Sequence, residues 1–163
     1  MSRSIRYIGV AILILGVVGV AMGIAFVVEG QLKANYITNS MRQEQVTLGD
    51  IGIQGANAGQ LIDSAATAQL AANTIKEHRQ KIAPTYDALI KASATGKFDV
   101  TNPTDLAYAQ AINLENYLYL GVASLGLATV VTVSGISMIV TGIAIGATGL
   151  VLFRLAKKTP PGG

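Results

Sequence analysis

The chain has no cysteine and a single histidine, and only 13% of its 163 residues are charged. Without cysteine there can be no disulfide framework, no thiolate nucleophile and no cysteine-ligated metal. One histidine excludes the two-histidine, one-carboxylate set that holds non-haem iron, and with it any HExxH zinc motif. No glycine-rich segment is followed by Lys-Ser or Lys-Thr, so a phosphate-binding loop of that kind is missing too. Catalytic, cofactor-binding and metal-ligating residues are therefore assigned to none of the positions, and the chain is read as a non-enzyme without cofactors.

What is abundant is apolar length. Hydrophobic residues make up 51% and the mean hydropathy is +0.49, values of a membrane protein. Residues 7–28 and 118–152 contain no charged side chain. At about 1.5 Å per residue they would run roughly 33 and 52 Å as helices, against a hydrocarbon core of about 30 Å. A secretory signal has a shorter apolar core, about 7–15 residues, so the first run reads as an uncleaved anchor.

Charge orients the two runs. Arg3 and Arg6 precede the first; Arg154, Lys157 and Lys158 follow the second; the intervening segment is slightly acidic. By the positive-inside rule both termini are cytoplasmic and the middle is outside, in a two-span protein of the cell membrane. This distribution also removes the case for a nucleic-acid partner that the net charge of +3 alone would make. Tyr7 and Phe153 are placed as aromatic anchors at the cytoplasmic interface.

Glycine draws a line along each run at steps of seven: Gly9, Gly16, Gly23 and Gly30 in the first, Gly121, Gly135, Gly142 and Gly149 in the second, with Ala128 filling the gap. A seven-residue step keeps residues on one face of a slightly supercoiled helix, and a line without side chains lets two backbones approach closely. These eight glycines are the expected helix-packing residues. Matching Gly9 to Gly149, Gly16 to Gly142, Gly23 to Gly135 and Gly30 to Ala128 makes an antiparallel pair and brings the basic ends together. Gly19 with Gly23, and Gly142 with Gly146, fit GxxxG spacing and are expected to offer a face to a further helix.

The expected fold is an all-α membrane protein: an antiparallel two-helix transmembrane hairpin with long helices and a small extracytoplasmic helical cap. Residues 1–47 form the cytoplasmic lead, first span and stalk; 48–102 the extracytoplasmic loop and cap; 103–157 the stalk and second span; 158–163 a disordered cytoplasmic tail. Within the cap, the glycine-spaced residues 48–60 read as a flexible connector. Residues 61–82 read as an amphipathic helix whose seam is Leu61, Ala68, Ile75 and Ile82 with Ala65 and Ala72, ended by Pro84. A short helix over 85–94 follows, then an extended piece over 97–101 with Phe98 and Val100 on one side. Asn102-Pro103-Thr104-Asp105 is a helix start, with Asn as N-cap and Pro at the first helical position. Residues 118–129, apolar yet beyond the outer membrane surface, need a cover, either the 61–82 seam or a neighbouring subunit.

Gln31-Leu32-Lys33-Ala34-Asn35-Tyr36-Ile37-Thr38 after the first span, together with Ile75-x-x-His78 and Thr85-Tyr86 ahead of a long apolar helix, resembles small two-span bacterial membrane proteins of unknown role. The resemblance covers both spans and about a third of the loop, and implies a two-span architecture. Those proteins often carry the label aromatic ring-opening dioxygenase, a chemistry that one histidine does not support. His78, one position off the seam, is expected on a solvated helix face. Asp63, Asp87, Asp99, Asp105 and Glu115 have no spacing that pairs them. Tyr108, Tyr117 and Tyr119 are expected to pack, with their hydroxyls bonded.

Two function classes follow. One is a structural or accessory membrane protein that binds membrane lipid and either self-associates as a homo-oligomer or joins a larger membrane complex. The other is an extracytoplasmic ligand-binding or sensing module anchored by two spans. With six residues ahead of the first run and eleven after Leu152, no output domain is expected, which favours the first unless a partner carries the output.

Overall fold

The structure is a computed structural model that describes residues 2–158. The expected disordered tail therefore lies outside the described residues, apart from Lys158 at the end of the last helix. The chain is all-helical: α1 (Ser2–Gln43), α2 (Ala65–Ile82), α3 (Tyr86–Ala92) and α4 (Pro103–Lys158). Among the described residues there is no strand, only an isolated antiparallel bridge between Thr47 and Leu61. α1 and α4 are both long and apolar enough to cross a membrane. The chain divides into two compact units, one of residues up to Lys33 with those from Leu127 onward, the other of residues Ala34–Gly126.

The first unit is the apolar part of α1 beside the apolar part of α4. Gly9, Gly16, Gly23, Gly30, Ala128, Gly135, Gly142 and Gly149 are buried, and most large apolar side chains point away from them, exposed. Hydroxyls within α4 are satisfied locally: Thr132, Ser137 and Thr148 each donate to the carbonyl four residues back, at 2.9, 3.1 and 3.0 Å. Such back-bonding lets a polar group sit in an apolar stretch without an external partner.

The second unit has a small core in two clusters. Leu48, Ile62, Ala68 and Ala71 are buried together, with Met41, Ile51, Ile53, Leu118 and Val122 packed against them. Ala83, Leu89 and Tyr108 form the other, joined by Phe98 and Ile112. The face of α2 is thus Ala68, Ala71, Ala72 and Ile75, while Ile82 at the end of the expected seam is 38% exposed. Part of the apolar segment 118–129 is covered by this unit's own core, at Leu118 and Val122, whereas Leu120 stays 62% exposed.

Local chemistry explains where the elements begin. α2 starts at Ala65 rather than 61 because Ser64 caps it in a reciprocal box with Thr67, each side chain accepting from the other residue's backbone N–H. Thr85 caps α3 by accepting from Ala88 N at 3.2 Å. Asn102 Oδ1 accepts from Thr104 N at 2.9 Å at the head of α4. α1 stops at Gln43, short of the expected 47, where Gln45 turns with a φ of 53° and its N–H bonds to the Arg42 carbonyl. Arg42 is tied in turn to Asp63 at 2.7 Å.

Two expectations fail for one reason. Residues 48–60 form a closed loop, not a flexible connector. Leu48 is wholly buried, and Leu48 N–H, Gly49 N–H and Ile62 N–H donate to the carbonyls of Gln60, Ala58 and Val46 at 2.9, 2.7 and 2.9 Å. Gly52 and Gly55 supply the positive φ, 93° and 92°, that the turns require. Nor is 97–101 extended: Asp99 accepts from Thr101 N at 2.8 Å and from its hydroxyl at 2.7 Å, folding the piece into a turn. Phe98 packs on the second cluster while Val100 is 67% exposed. In both segments hydrogen-bond acceptors close the backbone, across 9 to 16 residues in the loop and across two at Asp99, and neither set is visible in residue spacing.

Candidate functional site

Three places could carry function. The first is the line of small residues where α1 meets α4. A Cβ added at Gly16 would lie 2.5 Å from Gly146 N and 2.7 Å from Gly142 O; at Gly23, 2.6 Å from Gly135 O; at Gly149, 2.5 Å from Leu13 N and 2.8 Å from Gly9 O. At Gly9 it would meet Phe153 N at 2.8 Å, and at Gly30 the Ala128 carbonyl at 2.8 Å. The atoms met are almost all backbone, which cannot yield as the tip of a side chain would. Partners descend in α4 as residue numbers rise in α1. Gly121 stands apart, with only Met41 Cε near, at 3.9 Å. A Cβ added at Gly19 or at Gly146, both expected on a second face, would stand 3.4 Å from Gly142 Cα and 3.9 Å from Gly16 Cα, so both lie beside this same contact.

The second place is a buried polar network between α2 and α4. Arg79, 8% exposed, donates from Nε to Glu115 Oε2 at 2.7 Å and from Nη1 to the Tyr108 hydroxyl at 2.8 Å. Its guanidinium carbon lies 5.2 Å from the centre of the Tyr108 ring, itself 1% exposed and flanked by Tyr86 at 6.4 Å. Glu115 is 7% exposed. The Glu115 hydrogen bond holds the Arg79 pKa above its ordinary value, outweighing burial, so the guanidinium stays charged. A permanently charged donor, a carboxylate and a phenol that bond one another are all partnered. The arrangement anchors α2 on α4 and leaves no group free to act as acid or base.

Sequence reasoning missed Arg79, although a signal was there. Continuing the Ala65–Ala72 line by seven arrives at Arg79, a charge on an otherwise apolar seam. The carboxylates it left unpaired are now placed: Asp63 with Arg42, Asp87 with Lys91, Glu115 with Arg79, and Asp105 accepting from Asp99 N at 2.9 Å. Of the three tyrosines, Tyr108 is buried and bonded, Tyr119 donates to Asn73 Oδ1 at 2.9 Å, and Tyr117 is 72% exposed.

The third place is the 44–62 loop. Met41, Val46, Ile51, Ile62, Leu114 and Leu118 line an apolar recess of about 150 Å³ with Glu44 as its one charged wall. A cavity of about this size can accept a benzene-sized apolar group. A second, more polar groove of about 360 Å³ has Asp50, His78 and Gln110 among its walls. His78 is exposed, yet not merely solvated: its Cε1 is 3.1 Å from where a Gly52 Cβ would stand, so the imidazole lies on the loop. The Thr47 N–H, and then its hydroxyl, hold the Asp50 carboxyl below its usual range. Among the described residues, no three His, Asp or Glu side chains gather closely enough to hold a metal ion. Compared with protein-family models, curated proteins and solved structures, the chain shows no match.

Proposed function

We propose that this chain is a structural or accessory integral membrane protein, non-catalytic, that self-associates or joins a larger membrane complex. In this reading α1 and α4 form an antiparallel transmembrane hairpin packed through glycine, both termini are cytoplasmic, and residues 48–102 belong to an extracytoplasmic helical cap. The observation that carries it is what the apolar segments do not bury. Only 11% of the most apolar window of either helix is buried. Exposed residues such as Leu15, Val17, Leu127, Val130 and Val140 surround the glycine contact. A helix in a soluble core would hide that surface, and a patch of this extent in water would drive aggregation. A bilayer accommodates it.

Association would use the remaining exposed apolar side chains, since the GxxxG glycines lie beside the contact within the chain. Tyr117 and Leu120, 72% and 62% exposed, lie one helical turn apart on α4 in the second unit. Cross-linking in native membranes, followed by mass determination, is expected to yield a dimer or a larger adduct; a clean monomer would refute the association. Topology is tested separately. A cysteine at Gly55 should react with an impermeant maleimide in intact cells, and one at Pro161 should not; the reverse pattern would overturn the orientation.

A second reading, an anchored ligand-binding module, is favoured by one observation, the Glu44-walled recess. It becomes the better account if the cross-linking finds no partner.

A further inference from the structure

The glycine-lined unit ends in cations, two of them held over one aromatic ring. Arg6 comes from α1; Phe153, Arg154 and Lys157 come from α4. The Arg6 guanidinium carbon lies 5.4 Å from the centre of the Phe153 ring, and Lys157 Nζ lies 4.8 Å from it. Both are within the range at which the ring's negative face attracts a cation. Sharing one ring keeps the two like charges no more than about 10 Å apart, comparable with the Debye length of about 8 Å at physiological salt. Arg154, next to the ring in sequence, is exposed.

Among the described residues, nothing neutralises this cluster: no carboxylate pairs with Arg6, Arg154 or Lys157. Along the two helices the first acidic residues are Glu29 and Glu115, and even the former is roughly 35 Å of helix away from Arg6. Immediately beside the cations lies exposed apolar surface: Tyr7 at 76%, Ile8 at 54%, Val151 at 55% and Leu155 at 56%. A free anion would answer the charge and leave that surface bare. A molecule with an anionic head and hydrocarbon tails answers both.

We propose that Arg6 and Lys157, gathered on Phe153, together with Arg154 beside it in α4, are a docking surface for the headgroup of an anionic phospholipid whose acyl chains lie along Ile8 and Val151. The inference rests on the membrane reading above and adds a lipid class to it. Each cation near a membrane surface contributes about a fivefold preference for anionic lipid, so three of them distinguish charged from zwitterionic headgroups readily.

The test uses the full chain extracted in mild detergent. Resistance of the native membrane fraction to alkaline carbonate is measured first; release into the supernatant would fail the membrane reading itself. Native mass spectrometry then counts lipids retained from an equimolar mixture of phosphatidylglycerol and phosphatidylcholine with the same acyl chains. The unaltered protein is expected to retain phosphatidylglycerol at least several-fold over phosphatidylcholine. The combined Arg6→Gln, Arg154→Gln and Lys157→Gln variant should lose that preference, while Arg6→Lys with Arg154→Lys should keep it, separating charge from misfolding. Equal retention of the two lipids, or an undiminished preference in the glutamine variant, overturns the proposal. So does displacement of the lipid by an equal concentration of inorganic phosphate, which would make the surface a phosphate site only.

Discussion

Gly16→Leu is expected to destabilise the protein by about 3 kcal/mol or more, and Gly16→Ala by about 1–3 kcal/mol. The reason is geometric. Even a single added carbon at Gly16 meets the Gly146 backbone at 2.5 and 2.6 Å and the Gly142 carbonyl at 2.7 Å. No rotamer change relieves a clash with backbone, so α1 and α4 must separate along this stretch. Doing so would forfeit the van der Waals contact that takes the place of a hydrophobic driving force between helices in lipid. Gly142→Leu should behave alike, since its added carbon meets Gly16 O and Val20 N, both at 2.8 Å. Gly126 is the control. Nothing lies within 4 Å of its would-be Cβ, so Gly126→Ala should be neutral or stabilising by up to about 1 kcal/mol, the helix-propensity gain. Thermal unfolding in detergent, followed by circular dichroism, checks the contrast in sign. Similar losses at positions 16, 142 and 126 would show that the glycines do not mediate the contact.

The second large effect is expected at the buried ion pair. Glu115→Leu should cost about 3–5 kcal/mol, because it strands the Arg79 guanidinium in a site where its side chain is only 10% exposed. Replacing both partners, Arg79→Met with Glu115→Leu, should recover most of that loss, since two apolar side chains of similar volume need no partner. Recovery should fall short by about 1–3 kcal/mol, because the Tyr108 hydroxyl, which accepts from Arg79 Nη1 at 2.8 Å, would lose its donor. Denaturant unfolding can be followed by tyrosine fluorescence, the chain having six tyrosines and no tryptophan. A single-variant loss under about 1 kcal/mol, or losses that simply add in the double variant, would mean the pair is not energetically coupled.

Reading these two sites from the sequence met with unequal success. The step of seven in Gly9, Gly16, Gly23 and Gly30 is a one-dimensional pattern that implies a bare stripe, and all four are buried in the first unit. Arg79 carried a weaker signal. A charge at a seam position can be a helix end reaching for water or a buried ion pair, and only a carboxylate thirty-six residues along the chain decides between them. Gly121 erred in the other direction. It continues the heptad line, but no second backbone comes near it, and Met41 fills the space instead.

What the sequence determined by itself is whatever depends on length, composition and local hydrogen bonding. Charge-free runs of 22 and 35 residues leave the backbone no satisfactory partner in an apolar medium except its own helix. Asn102-Pro103 and Thr85 start helices because their side chains cap amides two or three residues away. Tertiary structure decided whatever depends on long-range approach. It closed residues 48–60 over Leu48, set His78 against the loop at Gly52, and placed Gly19 and Gly146 beside the contact they were expected to leave free. Glycine spacing says that a backbone can come close or turn sharply; which of the two happens is settled by the segment that arrives from elsewhere in the chain.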